Sequence, residues 1–531
     1  LDILLSHIGF GLFISCIPII LSVYLFIVRK QETAAIIMLV VGAFLLRLFL
    51  ISLDPFLHYW DEQFHALVAK NMISAPFKPM LRTHPILPYD YKAWCCNHIW
   101  VHKQPLFLWQ MALSMKLFGI NEITMRLPSA LMGSISVFFT YQIAKTWLKD
   151  RLVSFIAALL MAVSYYQLEL TSGRFSLDQN DVAFVFYVSA SFWAFSRYIK
   201  KMNWRWAMII GIFVGAAILN KWLTGLLVYA GWGLILLTDE THRFQLSHYK
   251  HILFSVIVAF MVFFPWQLYI WWTFPQETAW AFELNRQHIS TALDGHSGNI
   301  FFYIRFLSTA YGKLLLLFIP FGLLMLWRKK KTDKKLTQAF LICILIIYLF
   351  FSVLVKTKMP AFTFPVSVLI FIIIALGFQS IFNWLIEKLF SIFKLSAKLL
   401  TLPYLTLRKY LVSLFLILIA ISCLKPWAIA EYRSSQNVKR NKQVHNALVY
   451  KKLPDSIIQN YVILNLPSFK DIELMFYRNC NAFQWYPDAA QLDSLQHLGY
   501  KIAAFKSHGQ YGLPDYIRSD TSIVIINDTL Y

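Results

Sequence analysis

The chain has 531 residues and a net charge of +22, with 58% hydrophobic and only 14% charged positions. Soluble proteins are roughly 25% charged, so this balance excludes an ordinary soluble enzyme, and the 17% of aromatic residues excludes a disordered chain. The basic excess is read as loop charge that orients a membrane protein rather than as a nucleic-acid surface.

Apolar stretches able to cross a hydrocarbon core of roughly 30 Å fall near 8–28, 34–53, 125–147, 152–170, 179–197, 206–220, 222–238, 251–272, 306–327, 337–355, 360–382 and 409–428. They predict an all-α polytopic membrane domain of about twelve transmembrane helices over 1–429. The first stretch is too long, and too promptly followed by a second, to be a cleaved signal peptide. Because residue 1 is Leu, the chain is read as a processed or truncated form.

Lys and Arg gather at Arg29-Lys30, Lys149 to Arg151, Arg197 to Arg205, Arg328 to Lys335 and Lys388 to Lys409. The positive-inside rule assigns those loops to the cytoplasm. The opposite face then receives the long loop 54–124, the short one at 171–178, the loop 273–305, the turn 356–360 and everything after about 429. The stretch 383–408, apolar with Lys at intervals, predicts an amphipathic segment on the cytoplasmic surface. From 430 to 531 the chain turns polar. Strand-like YVILNL (461–466), KIAAF (501–505) and SIVIIN (522–527) alternate with helix-prone stretches, predicting a small extracytoplasmic α/β domain. The six cysteines, 16, 95, 96, 343, 423 and 480, form no CxxC, though Cys95 or Cys96 could pair with Cys480 on an oxidising face.

Four segments carry residues with chemical potential. Asp61-Glu62, in FLHYWDEQFHALVAKNM, sits at the membrane boundary on a helix with apolar Trp60, Phe64, Leu67 and Val68. Partial desolvation there would raise a carboxylate's pKa and suit it to take a proton from a nucleophile, whereas two solvated loop carboxylates are the plain alternative. Lys103, before Gln104-Pro105, could hold a lipid-linked phosphate, and Arg126 could be a further phosphate contact or an orientation anchor. Lys356 and Lys358, in VKTKMP, run against the positive-inside trend and could either snorkel or bind phosphate. Arg174 and Asp178, in SGRFSLDQND, lie at the mouth of a span, with Lys221 at a similar level, and Arg174 could be a further contact of the carrier phosphate. Glu283, His288 and His296, with His102, could bind a divalent metal (Zn, Mg or Mn), although no cofactor is demanded.

The order of Asp-Glu after an early span, K-x-P-L followed by LFG…RLPSAL…G, LD at a span start and K-x-K-M-P-x-x-x-x-P resembles the GT-C superfamily of membrane glycosyltransferases. Within it, bacterial lipid A aminoarabinose transferases and protein O-mannosyltransferases are the most similar groups, over roughly residues 40–380. The resemblance implies a multi-span inner-membrane enzyme that transfers a sugar from a polyprenyl-phosphate carrier to a lipid, protein or glycan acceptor at the periplasmic face, working as a monomer. It implies Asp61 as the catalytic carboxylate beside Glu62, Asp178 as a cavity carboxylate, and Lys103, Lys356 and Lys358 on the carrier phosphate. Phe64 stands where relatives commonly have Arg, and His102 where they have an acid. A polysaccharide ligase or polymerase using a diphosphate-linked donor, and a secondary transporter, are the competing readings. Against the transporter, no two-fold internal repeat is visible and the ionisable residues collect at one membrane face.

Overall fold

Long apolar helices dominate the computed structural model, which describes residues 7–87, 90–92, 97–175, 179–328, 332–392, 401–484, 486–508 and 511–531. Asp178, Cys95 and Cys96 lie outside the described residues, as do 329–331 in the basic block and 393–400 in the expected amphipathic stretch. Among the described residues, nine helices are long and apolar enough to cross a membrane: His7–Ile27, Glu32–Ile51, Glu122–Leu148, Gln179–Lys200, Trp204–Lys221, Leu246–Thr273, Lys334–Leu354, Pro360–Leu385 and Lys409–Tyr432.

The other three expected spans are helical but not simple. Arg151–Ala162 and Tyr165–Thr171 meet at a 44° bend, and Phe302–Tyr311 and Lys313–Arg328 at 116°. Gly312 makes the sharper break, with φ +89 in a region where a side chain would be strained. The apolar stretch Leu223–Leu237 is shorter than a single crossing requires. The expected surface segment is corrected at its start, because the helix Ser367–Ile392 continues the preceding span through residues 383–392.

Breaks inside a membrane free backbone carbonyls, and the chain supplies donors for them. At the 44° bend, buried Arg47 donates to the carbonyls of Met161 (3.4 Å) and Ala162 (3.1 Å) and to Gln167 Oε1 (3.3 Å). The helix Glu122–Leu148 starts with a reciprocal capping box between Asn121 and Thr124. Trp204–Lys221 packs tightly on Leu246–Thr273 through Gly211, where an added Cβ would lie 2.5 Å from the carbonyl of Ser255.

On the predicted extracytoplasmic side, α1 (Asp61–Asn71) and α2 (Pro105–Phe118) pack on each other, and α3 (Pro275–Ser290) packs beside α2 through Ala281. Next come α4 (Val438–Lys452) and an α/β unit with strands β1 (Tyr461–Leu464), β2 (Asn481–Ala482), β3 (Lys501–Phe505), β4 (Ser507–His508), β5 (Tyr511–Gly512) and β6 (Val524–Ile526). The main sheet is parallel in the order β2-β1-β3-β6, with Val462 opposite Asn481 and Ile502, while β4 and β5 form a small antiparallel ribbon. All three strand-like runs read from the sequence are therefore strands of this unit. Between β1 and β2 runs α5 (Lys470–Tyr477), which packs on α1.

A buried ion cluster fastens this unit to the membrane helices. Arg433 binds Asp54 at 2.8 Å and Glu169 at 3.1 Å, and all three side chains are fully buried. Arg440 adds a 2.8 Å bond to Asp54, and His58 lies 3.5 Å from it. Burial alone would lift the Asp54 pKa, but His58, Arg433 and Arg440 together hold it well below the usual carboxylate range. Removing one member of a buried pair typically costs about 3–5 kcal/mol. Arg433→Met is accordingly expected to lower the thermal unfolding midpoint and to open the 430–440 connection to limited proteolysis, compared with wild type in the same detergent.

Candidate active site

Asp61 is the first residue of α1, and the backbone in front of it is strained. Trp60 has φ 79, which a non-glycine residue adopts only when its surroundings enforce it, at about 1–3 kcal/mol. The enforcing contacts are aromatic. Phe469, in the loop after β1 and itself at φ 58, meets the Trp60 ring edge to face at 4.9 Å, and packs on Phe64 at 5.5 Å and Tyr59 at 5.7 Å. The α/β unit thus reaches the residue next to the carboxylate.

Further clamps hold α1. Glu473 of α5, fully buried, accepts from the backbone N–H of Leu57 (3.1 Å), from Gln63 Nε2 (3.4 Å) and from Lys470 Nζ (2.6 Å). At the other end of α1, Lys70 donates to the carbonyls of Met475 (2.7 Å) and Phe476 (2.9 Å).

The Asp61 side chain is 20% exposed and lies 3.7 Å from Lys103 Nζ, which is 25% exposed. The positive charges of Lys103 and Lys221 bear on it, with the His65 and His102 rings close by. Desolvation pushes its pKa up, but those groups outweigh it and the net direction is down. This corrects the expectation of a raised Asp61 pKa, since the sequence did not show how many cationic side chains would converge. Burial and the Lys103 charge push His102 down to about 3, so its ring is neutral at ordinary pH.

Behind Asp61, Lys221 pairs with Asp181, whose side chain is only 4% exposed. Trp222, directly after Lys221, repeats the positive φ of Trp60 at 79 and meets Phe282 of α3 edge to face at 4.9 Å. Asp181 is a buried carboxylate, paired with Lys221, that the sequence reading passed over. It stands three positions beyond the chosen Asp178, in the same SGRFSLDQND motif, and the spacing to Lys221 across two helices gave no signal.

Several proposed ligands of phosphate have other work. Arg126 donates to the Glu62 carboxylate at 2.7 and 3.1 Å and to the carbonyls of Ile51 (3.2 Å), Asp54 (2.7 Å) and Phe56 (2.6 Å). Glu62 also accepts from Gln179 Nε2 and the His58 N–H, and is 3% exposed, so Glu62 and Arg126 form a closed clasp rather than a reactive pair. Lys358 donates to the carbonyls of Phe351 (2.5 Å), Ser352 (2.9 Å) and Val355 (2.5 Å), capping the preceding span. Arg174 stacks on Tyr432 at 4.1 Å and reaches Glu169 at 3.4 Å, inside the ion cluster. Lys356 alone of the two turn lysines is exposed at the rim.

The end of α3 folds down onto that turn. The N–H groups of Lys356, Thr357 and Lys358 donate to the carbonyls of Ile289 (3.1 Å), His288 (3.1 Å) and His296 (2.8 Å), and His288 Nδ1 lies 3.1 Å from Thr357 Oγ1. His288 comes close enough to Lys103 for that charge to lower its pKa, after burial. The expected metal set does not fit a metal. Glu283 is engaged by Arg286 through two 2.8 Å bonds and by Gln287 at 3.0 Å, and no group of three His, Cys, Asp or Glu gathers suitably among the described residues.

Residues 102–271 match the family described as dolichyl-phosphate-mannose-protein mannosyltransferase. An undecaprenyl phosphate-alpha-4-amino-4-deoxy-L-arabinose arabinosyl transferase of Pseudomonas fluorescens is 27% identical over 291 residues, 53% of this chain and 48% of that protein. The match thus spans about half the length of that curated relative. In architecture, ArnT of Cupriavidus metallidurans bound to undecaprenyl phosphate superposes with a TM-score of 0.64 at 16% identity, covering 88% of both chains. The oligosaccharyltransferase of Archaeoglobus fulgidus does so with a TM-score of 0.52 at 14% identity, covering 85% of this chain and 64% of its own. The chain therefore carries the fold of these membrane enzymes and resembles the GT-C glycosyltransferases in sequence as well as in architecture.

Proposed function

We propose that the chain is a glycosyltransferase of a bacterial inner membrane, moving one sugar from a polyprenyl-phosphate carrier to a lipid, protein or glycan acceptor at the extracytoplasmic face. The observation that carries this reading is the Asp61–Lys103 pair, a carboxylate and an ammonium 3.7 Å apart and both partly exposed at the membrane boundary. The likeness to relatives named for an undecaprenyl-phosphate sugar donor supports the choice of carrier. The basic loops on the opposite face support the orientation.

The chemistry needs little more than this pair and its surroundings. An acceptor O–H gives its proton to Asp61, and its oxygen attacks the anomeric carbon from the side opposite the phosphate. The bond from the anomeric carbon to the phosphate oxygen breaks with its electron pair, leaving polyprenyl phosphate with one more negative charge. Lys103 neutralises that developing charge, with Lys356 at the rim. Asp181 and Lys221 set the field behind the base.

A carboxylate with a depressed pKa is a weak base in the empty site, and the donor changes that. Once the carrier phosphate draws Lys103 away from Asp61, part of the field that held the proton off is shared with the donor. Its proton affinity then rises at the stage when the acceptor must be deprotonated.

Asp61→Asn is expected to abolish transfer. Mass spectrometry of extractable lipids and periplasmic proteins, at matched expression, should show a sugar-sized mass on an acceptor only with the wild-type chain, and identical profiles from folded protein would overturn the assignment. Because the group's pKa is held down in the free enzyme, wild-type kcat/KM should stay level as pH falls to the ordinary carboxylate range. Lys103→Met should move that acid limb upward and slow the reaction about 10²-fold or more. Phe469→Ala, which touches neither phosphate nor base, should lower kcat with little change in the donor KM, and Phe469→Tyr should restore it.

A further inference from the structure

A cleft lies at the far end of α1 from Asp61. It has a volume of about 790 Å³ and opens between the far end of α1, the loop 80–84 and the amino ends of β1, β2 and β3, with Ile120 on its rim. Lys70, at the back of this cleft, is nine residues along α1 from Asp61, roughly 13 Å at the helical rise. The cleft is separate from the candidate active site, and the inference below does not rest on the reading of Asp61.

Its lining is cationic and amide-rich. Lys70, Arg82 and Arg478 border it together with Asn479 and Asn481, and no carboxylate does so among the described residues. Arg82 is tied to Asp471 at 3.0 Å, and Arg478 reaches Asp455 at the surface. Lys70 is anchored only by the two carbonyls of α5, with no carboxylate partner among the described residues. Burial pulls it down to about 8, the direction expected of an ammonium held without a counter-charge.

The rim shows where an anion would come from. Ile120 lies two residues before the span that begins at Glu122. It continues an apolar strip at the end of α2, with Leu113, Leu117 and Phe118 between 57% and 65% exposed. Such a strip on an amphipathic helix rests at the boundary of headgroups and acyl chains. The mouth of a carboxylate-free basic cleft is therefore level with lipid headgroups.

We propose that this cleft binds the phosphate of an anionic lipid headgroup from the extracytoplasmic leaflet, with Lys70 and Arg478 as the charged donors and Asn479 and Asn481 at its edge. A phosphodiester meets two cations and neutral amide donors there, while a zwitterionic headgroup brings an ammonium that they repel.

The test uses the full chain in nanodiscs of phosphatidylcholine with one fifth phosphatidylglycerol, released into native mass spectrometry, and inorganic phosphate in neutral detergent as a second arm read by thermal shift. Wild type should retain phosphatidylglycerol preferentially. Lys70→Gln should reduce that retention about tenfold. Asn479→Asp, an exposed change that adds a negative charge at the edge of the cleft, should do the same and guards against misfolding of the first variant. Asp61→Asn should bind as wild type. Binding of inorganic phosphate alone, lost in both variants, would keep the anion site but assign it to a soluble phosphate, overturning the lipid source. Equal retention of both lipids with no phosphate effect, or variants that bind like wild type, would overturn the proposal altogether.

Discussion

Arg433 bridging Asp54 and Glu169 is the contact on which the rest of the arrangement depends. Asp54 follows the second span, Glu169 belongs to the bent helix pair, and Arg433 ends the last span before the α/β unit. One guanidinium thus ties three distant parts of the chain at the level where membrane gives way to solvent. A buried charge without its partner is far more costly than an ordinary polar group, so the three segments can be separated only by exposing all of them together. Arg440, held to the same Asp54, extends the link into α4. With the α/β unit fixed in this way, Phe469 and Glu473 can press on α1 and hold Trp60 in a backbone conformation it would otherwise leave.

Much of this was legible in the sequence. Apolar runs of membrane length located the nine candidate spans among the described residues, because hydrophobicity over about twenty residues needs no tertiary information. Three of the four strands of the parallel sheet were visible for a similar reason, as short apolar runs between turn residues, while the two-residue β2 was too short to show. The bends were not, since a run such as 302–328 is equally apolar whether straight or folded back, and only Gly312 marks the place. Asp61 and Lys103 stood out as ionisable residues at a membrane boundary and do lie together.

Cations were harder to sort. Arg47, Arg126 and Lys358 each collect two or more backbone carbonyls, so a positive charge near the membrane can serve the backbone as readily as a ligand. In water such carbonyls would be hydrated, but at a helix break inside a membrane a long side chain must supply the donors. Sequence carries no mark that separates this duty from phosphate binding. Lys356 and Lys358, two positions apart in one turn, differ in this way: Lys358 is spent on backbone carbonyls and Lys356 is exposed. Asp181 illustrates the converse, a residue whose importance lies in a partner forty positions away.

The parallel sheet has one more consequence. Because every strand of the main sheet runs the same way, the connections leaving the strands gather at one edge, and Phe469 shows that this edge faces the carboxylate. Connections of this kind vary in length and sequence more readily than the strands and helices they join. What reaches Asp61 from above can therefore diverge between lineages by loop exchange alone, while the membrane half of the molecule stays constant.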